Sequence, residues 1–151
     1  MSGPLLAFVD DNEADHLLIQ EALGALEYPV RSQHFVHAGR FLTAFDGGTE
    51  TPDAVITDLN MPGPSGFDLL RAIRERPAGR TLPLLVFSTS PTVDDRARAA
   101  EQGVAGYFVK PISYEGLVDQ LHEMVVLVRL CQAKAHTEVL HSAGPLHAPI
   151  A

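Results

Sequence analysis

The sequence predicts an α/β fold: a doubly wound parallel sheet with helices on both faces and an extended final helix. Three observations predict it. Short apolar runs alternate with amphipathic stretches five times along the 151 residues, the pattern of strand–helix units around a parallel sheet. Four of the runs, LLAFV, AVIT, LLVF and GYFV, are apolar or nearly so, as strands covered on both faces are. Each of those four leads into polar chemistry: Asp10 and Asp11, Asp58, Ser88 and Lys110. Open α/β sheets gather their ligands beyond the carboxyl ends of the strands.

The elements follow in order. Residues 5–9 are the first strand. Residues 12–26 are a helix, with Glu13, Asp15, His16, Gln20 and Glu21 at polar positions and Leu18, Ala22 and Ala25 on another face. Tyr28-Pro29 closes it, because the residue before a proline avoids the α region. Residues 30–36, VRSQHFV, are more polar and loosely alternating, which reads as an edge strand. Ala38, Phe41, Leu42 and Phe45 repeat at helical spacing, so residues 38–46 are a helix, followed by the loop DGGTETP.

Residues 53–57 form the third strand and NMPGP the loop after it. Ser65 and Asp68 make a capping box ahead of Leu69, Leu70 and Ile73, and Pro77 stops that helix. Residues 83–88 are the fourth strand. Thr92 and Asp95 suggest a second capping box, with Gly103 at the following helix end. Residues 105–109 are the fifth strand, and Ser113 caps a last helix of unusual length. Right-handed crossovers leave few topologies. By analogy with other flavodoxin-like (βα)5 sheets, the strand order is 2-1-3-4-5. That order sets strands 1, 3, 4 and 5 side by side and brings their polar ends together.

Bulk properties narrow the function. The 151 residues suit one domain. The 46% apolar content suits an ordinary core. Eleven basic against 19 acidic residues give a net charge of −8, with no basic stripe, which argues against nucleic-acid binding. A single cysteine, Cys131, leaves no intrachain disulfide and no zinc spacing. The start lacks a basic secretory n-region, and no apolar run approaches the ~20 residues that span a bilayer. A cytoplasmic protein without a membrane segment is expected.

Asp58 is the candidate nucleophile. A carboxylate needs no deprotonation at neutral pH, and aspartyl phosphate is a recognised covalent intermediate. Asp10 and Asp11 repel an incoming anion: at an effective dielectric of ~20, two like charges ~4 Å apart cost on the order of 4 kcal/mol. A bound cation reverses that. Mg²⁺ takes oxygen ligands and keeps several waters, so two carboxylates and a phosphate oxygen suit it. Lys110 adds a point charge for a phosphate oxygen and Ser88 a hydroxyl donor; the backbone N–H groups of Leu59 and Asn60 can help. Singly, each residue has an ordinary explanation. Asp10 and Asp11 could be acids at a helix start, Asp58 a turn residue, Ser88 a strand-end hydroxyl and Lys110 a solvated charge. Their common placement after inner strands favours a site.

FVDDNEADHLLIQEAL, VITDLNMPGPSGFDLLRAIR and LLVFSTS…GYFVKPIS resemble the receiver domain of two-component response regulators, over about residues 5–128. The resemblance implies that Asp58 is the phosphoacceptor. It implies that Asp11 and Asp58 ligate Mg²⁺ directly, Asp10 through water, and Asn60 through its backbone carbonyl. Ser88 then matches the switch hydroxyl with Thr89 beside it, Lys110 the phosphate-binding lysine, and Tyr107 the aromatic switch. The Lys110-Pro111 bond matches a cis peptide, which proline makes accessible at ~0.5–1 kcal/mol. Asn60 and Ser90 stand where dephosphorylation is tuned.

The implied mechanism is a switch. A sensor histidine kinase's phosphohistidine donates to Asp58. The new phosphate draws Ser88 inward, and Tyr107 turns from exposed to buried. The face of helix 4, strand 5 and helix 5 then changes its partner affinity. DNEAD…LIQEAL, DLNMP and the FSTS run are similar to small receivers paired with phytochrome-type kinases, so a bacteriophytochrome is an expected partner.

The receiver occupies 1–131, leaving 132–151 as a helix extension and flexible tail. That remainder is too short for a helix-turn-helix domain, so a stand-alone receiver is expected. Leu117, Leu121, Met124, Val125 and Val128 form the inward stripe of the last helix. Val126, Leu127 and Leu130 lie on its other faces, which suggests a homodimer through this helix. The competing reading folds 132–151 back over them. The seven histidines show no metal spacing near the acids, and Cys131 reads as a small apolar residue.

Two alternatives share the site. One is a phosphate sink that drains its kinase. The other is a Mg²⁺-dependent phosphatase with an aspartyl-phosphate intermediate. The phosphatase needs a second carboxylate beside the nucleophile, commonly two residues on, where Asn60 stands. The expectation is therefore no enzyme, only self-catalysed phosphotransfer and autodephosphorylation.

Overall fold

Among the described residues of the computed structural model, 3–48 and 50–147 with the side chains of 137–147 excepted, strands and helices alternate throughout. The strands are β1 (Leu5–Val9), β2 (Arg31–Phe35), β3 (Ala54–Thr57), β4 (Leu84–Ser88) and β5 (Gly106–Val109). The helices are α1 (Glu13–Gly24), α2 (Ala38–Asp46), α3 (Gly66–Glu75), α4 (Val93–Glu101) and α5 (Tyr114–His147). All strand pairs are parallel, in the order β2-β1-β3-β4-β5. This is the predicted flavodoxin-like topology.

Strand alternation splits the core in two. Ala7, Val9, Val55, Leu84 and Val86 face one layer, covered by Phe41 of α2, Leu70 and Ile73 of α3 and Ala99 of α4. Leu6, Phe8, Ile56, Leu85 and Phe87 face the other, covered by Ile19 and Leu23 of α1 and Leu121, Met124 and Val128 of α5. Fully burying one such side chain contributes about 1.5–3 kcal/mol. The two layers fix where each strand ends, and so where the polar residues emerge.

The helix caps follow the sequence with one exception. Ser65 and Asp68 exchange both bonds of a capping box at α3. Thr92 accepts from the Asp95 N–H, but the Asp95 carboxylate instead accepts the Ser90 hydroxyl at 2.6 Å. The second capping box is therefore only half formed. A short 3₁₀ turn, Pro77–Gly79, follows the end of α3. Gly103 takes φ +74° just past α4, as a helix-terminating glycine does.

Three readings of α1 are corrected. Leu18 and Ala25 are exposed, and His16 is buried in their place beside Ile19. Leu17-Leu18-Ile19 runs around the helix, so the sequence marks no single apolar face.

Helix α5 runs unbroken for 34 residues, which at 1.5 Å per residue is about 50 Å. The Gly116 N–H donates to Ser113 Oγ at its start. The expected inward stripe is buried from Leu117 to Val128, and Leu127 packs half-buried over β5. Gln132 Nε2 donates to Asp53 Oδ1 at 2.8 Å. Beyond it Ala133 to His136 are exposed. The expected tail is thus helical as far as His147; of that tail, residues 148–151 lie outside the described residues.

Candidate functional site

Strand register assembles the site. Val9 lies opposite Thr57, and Ser88 opposite Val109. The Asp58 N–H donates to the Val9 carbonyl at 3.0 Å and the Lys110 N–H to the Ser88 carbonyl at 2.8 Å. The residues that leave β1, β3, β4 and β5 therefore emerge at one level. Gly66 brings α3 close beneath. Its N–H donates to the Leu59 carbonyl at 2.9 Å, and a Cβ there would collide with the Asp58 carbonyl oxygen. Only glycine lets the first turn of α3 lie on this strand end.

Asp10, Asp11 and Asp58 each offer a carboxylate oxygen, all within 4.8 Å of one another. Asp10 and Asp58 are buried, while Asp11 is exposed. Lys110 Nζ donates to Asp10 Oδ2 at 2.6 Å and stands 3.7 Å from Asp58 Oδ2. Asp58 Oδ1 accepts the Leu59 N–H at 2.8 Å. Burial raises the Asp58 carboxyl above its ordinary range, with help from the Asp10 charge. Lys110, the Leu59 N–H and the Ser88 hydroxyl oppose that rise without cancelling it. Burial alone would lower the Lys110 ammonium, but its bonds to Asp10 and Asp15 and the nearby carboxylate charges hold it above the usual lysine value.

Ser88 is fully buried and its Oγ accepts the Ser90 N–H at 3.2 Å. Thr89 beside it is exposed, and so is Asn60. Tyr107 is half-buried rather than exposed, packed on the α2–α4 side of the core. Its hydroxyl donates to the Ser90 carbonyl at 2.7 Å, and Arg96 lies 4.7 Å from its ring centre. All peptide bonds among the described residues are trans, so the cis bond expected at Lys110-Pro111 is corrected. Trans is the lower-energy isomer for a prolyl bond, and with it Lys110 already reaches its carboxylate partners.

Three sets of contacts were not anticipated from sequence. Asp15 Oδ2 accepts from Lys110 Nζ at 2.7 Å; its signal was a place in the first turn of the helix that follows Asp10 and Asp11. Ser90 joins three parts, touching Ser88, Tyr107 and Asp95. Its position two residues past Ser88 pointed to tuning, not to these contacts.

The third is a histidine pair, His16 buried and His34 half-buried. His16 Nε2 lies 2.7 Å from the Asp10 carbonyl and His16 Nδ1 lies 2.7 Å from His34 Nδ1. His34 Nε2 lies 2.9 Å from Ser32 Oγ. A carbonyl only accepts, so His16 donates from Nε2. Burial and the charge His16 would carry lower His34 to about 4. No sequence signal links these two histidines, which meet where α1 packs beside β2.

The clustered donors are hard oxygens around one ammonium, a set that fits a small divalent cation better than a thiolate-seeking or imidazole-seeking metal. The response regulator receiver domain model matches residues 6–122. The probable methanogenesis regulatory protein FilR2 of Methanothrix harundinacea is 30% identical over 125 residues, covering 80% of each chain. The chemotaxis protein CheY of Pseudomonas aeruginosa is 38% identical over 88 residues, 54% of this chain and 71% of that one. Among solved structures, the phosphorylated cyanobacterial phytochrome response regulator RcpA superposes with a TM-score of 0.74 at 26% identity, covering 81% of this chain and 91% of that one. Strand order, the acidic cluster at the strand ends and these matches converge: the chain belongs to the response regulator receiver domain family.

Proposed function

We propose that this receiver accepts a phosphoryl group on Asp58 from the phosphohistidine of a sensor histidine kinase, with Mg²⁺, and thereby changes partner binding through its α4–β5–α5 face. The observation that carries the reading is the meeting of Asp10, Asp11 and Asp58 around one point, with Lys110 against them. Asp11 and Asp58 would hold the ion directly, with Asp10 through water and the Asn60 carbonyl as a further ligand. The bound ion supplies positive charge for the oxygens in transfer.

An Asp58 oxygen attacks phosphorus as the phosphorus–nitrogen bond to the donor imidazole breaks, and the bonding pair leaves with that nitrogen. No general base is needed for an ionised carboxylate. Lys110 donates to a phosphoryl oxygen, and the Ser88 hydroxyl turns to another. Ser88 is tied to the Ser90 N–H, and Ser90 holds both the Tyr107 hydroxyl and Asp95 at the start of α4. A displaced Ser88 thus passes its motion to α4 and to Tyr107.

The kinase partner is read as phytochrome-type, supported by the likeness to the phytochrome response regulator RcpA. With Asn60 two residues past the nucleophile, activity stops at self-catalysed transfer and slow hydrolysis. No helix among the described residues is long and apolar enough to cross a membrane. Transfer from a radiolabelled cognate kinase tests the reading. Wild type should label only with Mg²⁺, and Asp58→Asn not at all; equal labelling of both overturns the assignment.

The partner of α5 is read as a second copy. Val126 is 44% and Leu130 61% exposed on a helix that outlasts the domain. Gel filtration should give a dimer that becomes a monomer on removal of 136–151; a monomer unchanged by the deletion overturns it.

A further inference from the structure

Lys110 is shared before any phosphate arrives. Its Nζ is hydrogen-bonded to Asp10 at 2.6 Å and to Asp15 at 2.7 Å, both closer than Asp58 at 3.7 Å. Asp10 belongs to the cluster at the strand ends. Asp15 does not: it lies on the first turn of α1, outside the carboxylates that meet within 4.8 Å. Its side chain is 27% exposed, so the bond to Lys110 is shielded from water on most sides. Glu13, on the same turn, is exposed and holds no bond to Lys110 among the described contacts.

The geometry points to Asp15 as a positioning residue that restrains the phosphate-binding lysine and so limits how well Asp58 holds a phosphoryl group. This rests on Asp58 being the phosphoacceptor. An ammonium paired with two carboxylates presents a weaker field toward a third site than one that is free. An oxyanion on Asp58 competes with Asp15 for the same cation, and also meets the Asp15 charge. Asp15 belongs to the helix that follows Asp10 and Asp11, and Lys110 follows β5. The bond therefore ties the start of α1 to the β5–α5 connection. Engagement of phosphate by Lys110 loosens that tie, so the start of α1 differs in restraint between the two states.

Beryllofluoride, a tetrahedral phosphoryl mimic that attaches to a carboxylate oxygen, tests this with the full chain. Its affinity in saturating Mg²⁺ is read from ¹⁹F NMR, alongside thermal melting without metal to confirm folding. Asp15→Asn should bind about ten-fold more tightly than wild type, whereas Glu13→Gln, which removes a neighbouring charge without touching Lys110, should stay within about two-fold. Asp15→Glu restores the carboxylate and should return the affinity toward wild type; Asp15→Ala repeats the test if the asparagine variant melts early. Equal affinities for Asp15→Asn and Glu13→Gln, or weaker binding by Asp15→Asn, overturn the inference. Asp58→Asn separates the two readings. Loss of binding there keeps the phosphoacceptor assignment whatever Asp15 does, and undiminished binding removes the assignment itself.

Discussion

The two ends of the sheet treat ionised side chains in opposite ways. At the amino end, Asp53 accepts the Leu5 N–H at 2.7 Å and the Gln132 amide at 2.8 Å. Arg74 there donates to the carbonyls of Gly79, Arg80, Leu82, Gln102 and Gly103, knitting the ends of α3 and α4 to β4 and β5. Asp53 and Arg74 thus end on neutral dipoles that the fold itself supplies, while Arg31 at the start of β2 pairs with Glu50 at 2.8 Å. At the carboxyl end, Asp10, Asp15 and Asp58 stand within 4 Å of Lys110, and Asp11 joins Asp10 and Asp58. There the negative charge exceeds the positive, which the proposed function balances with a divalent cation. On that reading one end serves stability and the other gives up stability for binding.

The comparison breaks most visibly at Arg74. Arg74→Met strips donors from several backbone carbonyls at once, and should cost about 3 kcal/mol of unfolding free energy. Urea titration measures it. A loss under about 1 kcal/mol would mean that water satisfies those carbonyls equally well, and the amino end would lose its special standing.

The histidine pair behind Asp10 supplies the next effect. His34 has its folded value lowered to about 4, below the ~6.5 of an unfolded histidine. Between those values the unfolded chain binds a proton that the folded chain does not. This contribution is whole above the unfolded value, and stability falls as pH drops from about 6.5 toward 4, by about 2 kcal/mol after discounting for partial exposure. Unfolding free energies of wild type and His34→Gln, measured across that range, isolate the effect from the carboxylates. Parallel profiles would remove the pair from the list of strained groups.

The smallest effect is the most discriminating, because one substitution changes sign between the ends. Asp58 has a raised folded pKa, so the folded state holds its proton more readily than the unfolded chain, and stability is lost as pH rises through the carboxylate range. At neutral pH without metal, Asp58→Asn should gain about 1 kcal/mol, and should lose most of the stabilisation that Mg²⁺ gives wild type. Asp53→Asn should lose about 0.5–1 kcal/mol, by weakening its charged hydrogen bonds. Thermal melting with and without millimolar Mg²⁺ reads both. Equal signs would mean the two ends do not differ as described.

What the sequence disclosed and what it hid divide along the same physical line. A strand buried on both faces writes itself as a continuous apolar run, and the residue after it is fixed by position alone. Asp10, Asp58, Ser88 and Lys110 were therefore legible. The ties to Asp15, between Ser90 and Asp95, and between His16 and His34 depend on which neutral or charged group a side chain finds across an interface. No local pattern encodes that choice. Leu18 was misplaced because three consecutive apolar residues in α1 give a helix no preferred side. The Lys110-Pro111 isomer followed from likeness, and local sequence fixes neither isomer of a prolyl bond.

Helix α5 carries a mechanical consequence. Its base lies against β5, while fifteen residues, 133–147, continue past the tie at Gln132, a projection of about 22 Å. It is a lever with its fulcrum in the domain. A tilt of about 10° at the root sweeps the tip through about 4 Å, because a helix of this length carries rotation as a rod does. Rearrangements too slight to alter the packing around Tyr107 would thus be enlarged, at the far end of the molecule, to the scale of a side chain.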